Sequence, residues 1–254
     1  MPIRSLLPKS LCTPLWGDRE RWGFIPVLED ACWKEWQSRY TDFYQANQRE
    51  GIGTWVNDAG YAVMSSIDLE GKRILEIGAG DIRHMKFWRG KPIEYVLVDA
   101  SDEMMAFAKK RLEGRVSYRT ISVERNQSIT LEDASVDVIV TFYSLEHLYP
   151  LRPYLDEFKR LLKPGGYLIG GIPAEGGLAW GCGRMLTSRR WFKKNTTIDP
   201  DKIICWEHPN FADQILGELD QVFKCETVQY WPLPWLPLLD PNLVIRLLYR
   251  KAPE

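Results

Sequence analysis

The chain has 254 residues, 45% of them apolar and 12% aromatic, enough for one large α/β domain with a substantial core. Its 33 basic and 34 acidic residues leave a net charge of −1, which excludes the basic excess of a dedicated DNA or RNA binder. The cysteines at 12, 32, 182, 205 and 225 show neither zinc spacing nor a disulfide framework, which predicts reduced thiols in a cytoplasmic protein.

Residues 1–27 read as irregular, with Pro2, Pro8, Pro14 and Pro26 as breakers. Their opening stretch is too short and too proline-broken for a signal peptide, and no apolar run reaches the roughly 18 residues of a membrane span. Apolar and aromatic positions recur every three or four residues over 29–50, predicting an amphipathic helix, and a second helix is expected over 54–66. Alternation then begins. Strands are predicted at 73–79, 93–100, 116–124, 136–144 and 167–173, with helical patterns at 82–88, 102–112 and 154–162. A long insertion, 174–209, precedes a helix at 210–222 and two final strands at 224–232 and 242–251. The expected fold is therefore α/β: a Rossmann-like seven-stranded, mostly parallel sheet with an antiparallel last strand and helices on both faces. Residues 1–70 would form a helical N-terminal cap, and 71–254 the main domain.

The stretch LEIGAGDIRHM (75–85) runs from a strand through a glycine turn. Gly78 and Gly80 match the start of a dinucleotide fingerprint, but the third position is Arg83, and no Gly-Lys-Ser/Thr follows. Glu76, two residues before Gly78, would repel a pyrophosphate and suits a ligand bearing an ammonium group. S-adenosylmethionine (SAM) carries an ammonium, a sulfonium and no phosphate. Asp99, nineteen residues after Gly80 at the end of the second strand, can accept from both hydroxyls of a ribose; the plainer reading is a helix cap, for which Ser101 is the better candidate.

RILEIGAGD, YVLVDASDEMMAFAKKRL, DASVDVIVTFYSLEHL and FKRLLKPGGYLIGGIP, in this order over residues 73–174, resemble the motifs of class I SAM-dependent methyltransferases. The resemblance implies that Glu76, Gly78, Ala79 and Gly80 line the methionine end of SAM, that Asp99 holds the ribose, and that Ala100 lies near the adenine. Glu124 would meet the adenine amino group, and Thr141, Phe142 and Tyr143 would pass the cofactor on the substrate side. Ile82 stands where the family often has a third glycine, which predicts a tighter or shifted loop. A carboxylate is missing where Tyr143 begins Tyr-Ser-Leu-Glu-His, so no metal site is expected.

Methyl transfer from a sulfonium needs positioning and, for a hydroxyl acceptor, a base. His147 and His208 are the base candidates, each also readable as structural. His84 is expected in solvent, or near the SAM carboxylate with Arg83. Tyr40 and Tyr44 either close over the sulfonium or pack their helix onto the domain.

Arg184, Arg189, Arg190, Lys193 and Lys194 crowd the insertion around Trp180, Trp191 and Phe192. They form either a solvated basic face, a clamp in which Arg189 and Arg190 hold an acidic acceptor, or a patch for an anionic membrane. The stretch WPLPWLPLLDP (231–241) reads as core, a lipid lip or a dimer floor. The favoured expectation is O-methylation of a sugar, glycan or small acidic metabolite in polysaccharide biosynthesis, by a monomer or homodimer with peripheral membrane contact. A lipid or quinone-like acceptor, an inactive partner subunit of the same fold, and a nicotinamide-dependent oxidoreductase are the alternatives.

Overall fold

The computed structural model describes residues 2–48, 51–122 and 128–253. Seven strands, β1 (Arg73–Ile77), β2 (Glu94–Asp99), β3 (Tyr118–Ser122), β4 (Val136–Phe142), β5 (Leu162–Pro173), β6 (Lys224–Trp231) and β7 (Val244–Arg250), form one sheet in the order β3-β2-β1-β4-β5-β7-β6. The first five are parallel; β7 runs antiparallel between β5 and β6, and β6 closes the edge. The expected sheet is thus present, with its antiparallel pair at one edge.

The central strands are short apolar runs because both faces are covered. One face carries Leu75, Ile77, Val96 and Val98 against helices α6 (Leu151–Leu161) and α10 (Ala212–Val222), which supply Leu155, Phe158, Ile215 and Leu219. The other carries Ile74, Tyr95 and Leu97 with Met105 and Ala108 of α5 (Asp102–Leu112). Ser101 caps α5, its hydroxyl accepting from Met104 N–H at 3.3 Å. That leaves Asp99 free of the capping role.

Two proline-based boundaries differ from expectation. Helix α6 begins at Leu151, three residues before Tyr154, because Pro153 occupies its first turn, where a missing N–H goes unused. The N-terminal segment is helical at α1 (Lys9–Trp16) and α2 (Arg19–Trp22) despite Pro14 inside α1. Tertiary contacts offset the lost hydrogen bond: Trp16 is buried, and its indole N–H donates to Gly177 O at 3.1 Å.

A third cluster roofs the carboxyl ends of the central strands. Helix α3 (Ala31–Gln48) presents Trp33 and Trp36. The insertion folds into α7 (Leu178–Leu186), α8 (Ser188–Asn195) and α9 (Pro200–Glu207); α8 supplies Phe192, and α9 Ile203 and Trp206, to the same cluster. Helix α4 (Gly51–Tyr61) follows α3, and Tyr143 O–H reaches its backbone at Asn57 O, 3.1 Å away. No helix among the described residues is long and apolar enough to cross a membrane.

Candidate active site

A cavity of about 920 Å³ opens between the strand tips and this roof, near the upper end of the roughly 300–1,000 Å³ typical of ligand pockets. It lies outside the carboxyl ends of β1 and β4, where the strand order reverses, the usual ligand position in such sheets.

At one end the glycine loop leaves β1. Gly78 has φ 69°, and a Cβ there would come within 2.8 Å of Ser144 Cβ, so only glycine fits. Gly80 has φ 50°. Ile82 itself adopts the left-handed conformation, φ 50°, ψ 42°, and its side chain is buried. The turn keeps a glycine-like backbone at the position where the family's third glycine is absent, at the steric cost a β-branched residue bears there.

Asp99 ends β2 beside this loop. Its Oδ1 accepts from Ser101 N–H at 2.8 Å and its Oδ2 from Gly80 N–H at 3.4 Å. Burial raises its pKa, partly countered by these donors, and among the described residues no cation pairs with it. This desolvated carboxylate faces the cavity with spare acceptor capacity, which two ribose hydroxyls would satisfy.

Glu76 is buried on the strand face of Ile74 and also lines the cavity. Tyr95 O–H donates to its Oε2 at 2.7 Å, and His84 Nε2 lies 2.8 Å from its Oε1. Trp88 donates its indole N–H to His84 Nδ1 at 3.0 Å, so the His84 proton must sit on Nε2 and point at Glu76. His84, expected in solvent or near the SAM carboxylate, is not solvated: it is buried as the prop of Glu76. Each carboxylate oxygen keeps a lone pair, so Glu76 can still meet a ligand cation. Tyr95 was visible in principle: it stands two residues before Leu97, the β2 partner of Glu76, and so shares its face.

Ala79, Ala100, Phe142 and Tyr143 line the cavity, whereas Thr141 is turned into the core, its hydroxyl 2.6 Å from that of Ser144. Glu124 lies outside the described residues. Tyr40 and Tyr44 both reach the cavity, their rings stacked at 6.3 Å, and a Cβ at Gly80 would lie 3.6 Å from Tyr44 Oη.

The same cavity holds His147 and His208 together, their ring centroids 4.7 Å apart. Burial works against protonating His147, but the Glu207 carboxylate, 3.3 Å from Nδ1, and the charge of Glu146 outweigh it and push its pKa up to about 9. Glu207 stays ionised against burial because His147 and Trp36 donate to it, the indole at 2.8 Å. His208 Nδ1 lies 2.8 Å from Glu175 Oε2. Burial, helped by the neighbouring His147 and Arg184 and only partly opposed by Glu175, lowers the His208 pKa to about 4. Glu175 is fully buried, but Arg184 and His208 hold its pKa well below the carboxylate range. Arg184 stood in the sequence only as a member of the basic cluster; Glu175, Glu207 and Trp36 were not singled out as site residues.

Arg189 is buried in an ion pair with Asp201, and Arg190 is exposed on α8; neither lines the cavity. The insertion contributes Arg184 and His208 to the cavity instead. Among the described residues no group of three or more potential ligands is placed to hold a metal ion.

A family model described as a methyltransferase domain matches residues 75–170. The chain is 27% identical over 112 residues to the fatty-acid O-methyltransferase of Mycolicibacterium smegmatis, a match covering 43% of this chain and 40% of that relative. The chain thus spans well under half the length of that curated relative. Among solved structures it resembles a SAM-dependent methyltransferase from Mesorhizobium loti (16% identity, 78% of this chain, 97% of the other, TM-score 0.51) and the [4+2]-cyclase SpnF (15% identity, 91% and 100%, TM-score 0.57). The chain has the class I SAM-dependent methyltransferase fold.

Proposed function

We propose that this protein is a SAM-dependent methyltransferase acting on the oxygen of a small acceptor with an apolar or aromatic body. The observation that carries the cofactor assignment is Asp99: a half-buried carboxylate at the β2 tip, hydrogen-bonded to the glycine loop and free of any cation among the described residues. It would hold the ribose, with Glu76 receiving the ammonium and Gly78 and Gly80 allowing the backbone to approach. When bound, SAM supplies a methyl group already activated by its sulfonium. The chain's own residues then orient the acceptor and exclude water.

The acceptor chamber favours the lipid or quinone-like alternative over a sugar. Trp33, Trp36, Phe43 and Phe192, which cluster in the roof, line the cavity, and such walls offer little to a polyhydroxylated ring. The arginine clamp expected for an acidic glycan has no support in position, since Arg189 is engaged by Asp201. The fatty-acid acceptor in the name of the Mycolicibacterium relative agrees with an apolar body.

Calorimetry with SAM and with its demethylated product, S-adenosylhomocysteine, tests the reading. Micromolar binding is expected, weakened at least tenfold by Asp99→Ala. Transfer of labelled methyl from SAM to components of a lipid extract should then exceed transfer to a polar extract. A protein that binds neither nucleoside refutes the proposal.

A further inference from the structure

The two histidines at the acceptor end have unlike surroundings. His208 Nδ1 lies 2.8 Å from Glu175 Oε2 and 3.3 Å from Arg184 Nη2, and the shorter contact, to an acceptor-only carboxylate, places the proton on Nδ1. Glu175 is itself fixed: Arg184 donates to both of its oxygens and Trp180 donates to Oε2 at 3.0 Å. The lone pair of His208 is therefore on Nε2, which meets no protein partner among the described residues, and the ring lines the cavity. His147 is tied through Nδ1 to Glu207 on α9, and Trp36 of α3 holds the other oxygen of Glu207.

We infer that His208 is the general base of this site, set in its Nδ1–H form by Glu175 and Arg184, and that the acceptor carries an O–H whose proton leaves during transfer: an alcohol, phenol or enol. The inference rests on the methyl-transfer reading above. The acceptor's O–H proton passes to Nε2. The oxygen keeps that electron pair, which forms the bond to the methyl carbon, while the carbon–sulfur pair returns to sulfur. His208 then carries the charge against Glu175 and releases the proton to solvent.

His147 plays the complementary part. With Glu207 and Glu146 about it, it remains an imidazolium at neutral pH and so cannot serve as the base. Its charge, one ring away, and the Arg184 guanidinium oppose protonation of His208, which keeps Nε2 unprotonated between turnovers. A base this weak suits a proton that leaves late, as the oxygen gains its methyl group and its O–H becomes strongly acidic.

The test uses the full chain with 15N-labelled imidazoles, assigned through His208→Gln and His147→Gln, and diethyl pyrocarbonate, which acylates an imidazole only where its nitrogen is accessible and unprotonated, the modified residues being located by peptide mass spectrometry. At pH 7 His208 is expected as the neutral Nδ1–H tautomer and His147 as imidazolium. The reagent should add first to His208, at a rate changing less than about twofold between pH 6 and 8, with His147 reacting only as the pH nears 9. In the labelled-methyl assay with extract acceptors, His208→Gln should lower product at pH 7 by about 10²–10⁴-fold. The deficit should shrink as pH rises and the acceptor ionises unaided, while affinity for S-adenosylhomocysteine stays within about twofold. A protonated or Nε2–H His208 at pH 7, preferential acylation of His147, or unchanged turnover in His208→Gln overturns the assignment. Failure of the wild-type protein to bind S-adenosylhomocysteine would instead remove the methyl-transfer reading and leave the tautomer result standing.

Discussion

Ala134 and Ile82 hold the same left-handed backbone, φ 49° and 50°, with opposite consequences. Ile82 is buried, so replacing it by glycine would relieve strain but forfeit a core side chain. Ala134 is exposed in the turn before β4, its N–H donating to Arg160 O at 2.9 Å, and its methyl gains little. Ala134→Gly should therefore stabilise the protein by about 0.5–1 kcal/mol, raising Tm by roughly 1–4 °C in calorimetry. Glu146 makes the opposite kind of residue-scale case. It is buried, its Oε2 has no hydrogen-bond partner, and burial raises its pKa to about 7 despite the His147 charge. A carboxyl with a raised folded pKa lends stability below its ordinary 4.5 that is lost as pH climbs through 7. Glu146→Gln should accordingly be close to neutral at pH 5 and gain on the wild type by on the order of 1 kcal/mol or more at pH 8. A Tm difference that does not grow between those pH values would contradict the assigned burial cost.

At the scale of elements, the roof over the cavity depends on aromatic contacts between α3 and α8. Phe192 meets Trp36 at 5.3 Å and Phe43 at 5.4 Å. Phe192→Ala should cost about 3–4 kcal/mol and lower Tm by roughly 6–16 °C, with weaker ligand affinity because the same ring lines the cavity. An unchanged Tm would mean that the roof does not fold as one unit with the sheet. The roof is also where sequence reading stopped. Strands β1, β2 and β4 were legible because each is a short apolar run bounded by turns, and Gly78, Gly80 and Asp99 because their spacing is local. Helices α7, α8 and α9 have only eight or nine residues each, too few turns for periodicity to declare itself inside a basic, glycine-rich stretch. The pairs Glu175–His208 and Glu207–His147 join residues 33 and 60 positions apart through a loop and a helix whose placement no spacing rule fixes. His84 misled for a related reason: a histidine in a turn looks solvated until the rings of Tyr61 and Phe142 and the tryptophan one helical turn on are seen to enclose it.

For the whole molecule, the same histidine pair sets how stability varies with pH. His147, raised from an ordinary 6.5 to about 9, lends stability that is complete below 6.5 and is lost as pH rises through 9. His208, lowered from 6.5 to about 4, works in reverse. Between pH 4 and 6.5 the unfolded chain takes up a proton that the folded chain refuses, so stability falls as the solution is acidified through that window. The depressed carboxyls of Glu175 and Glu207 steepen the acid limb, since each resists in the fold a proton it accepts when unfolded. Between 4.5 and 7 Glu146 tilts it the other way and roughly cancels His208, since the two depressed carboxyls count only near and below 4.5. The sum over these groups is a stability maximum at about pH 5.5, with a fall on both sides. Thermal melts between pH 4 and 10 should trace that dome. In His147→Gln the decline from pH 6.5 to 9 should flatten while the acid limb stays, and in His208→Gln the acid limb should become shallower while the alkaline one stays. If both variants merely lower the whole curve without changing its shape, the two rings do not titrate as their surroundings require, and the opposed charge states on which the acceptor site depends are wrong.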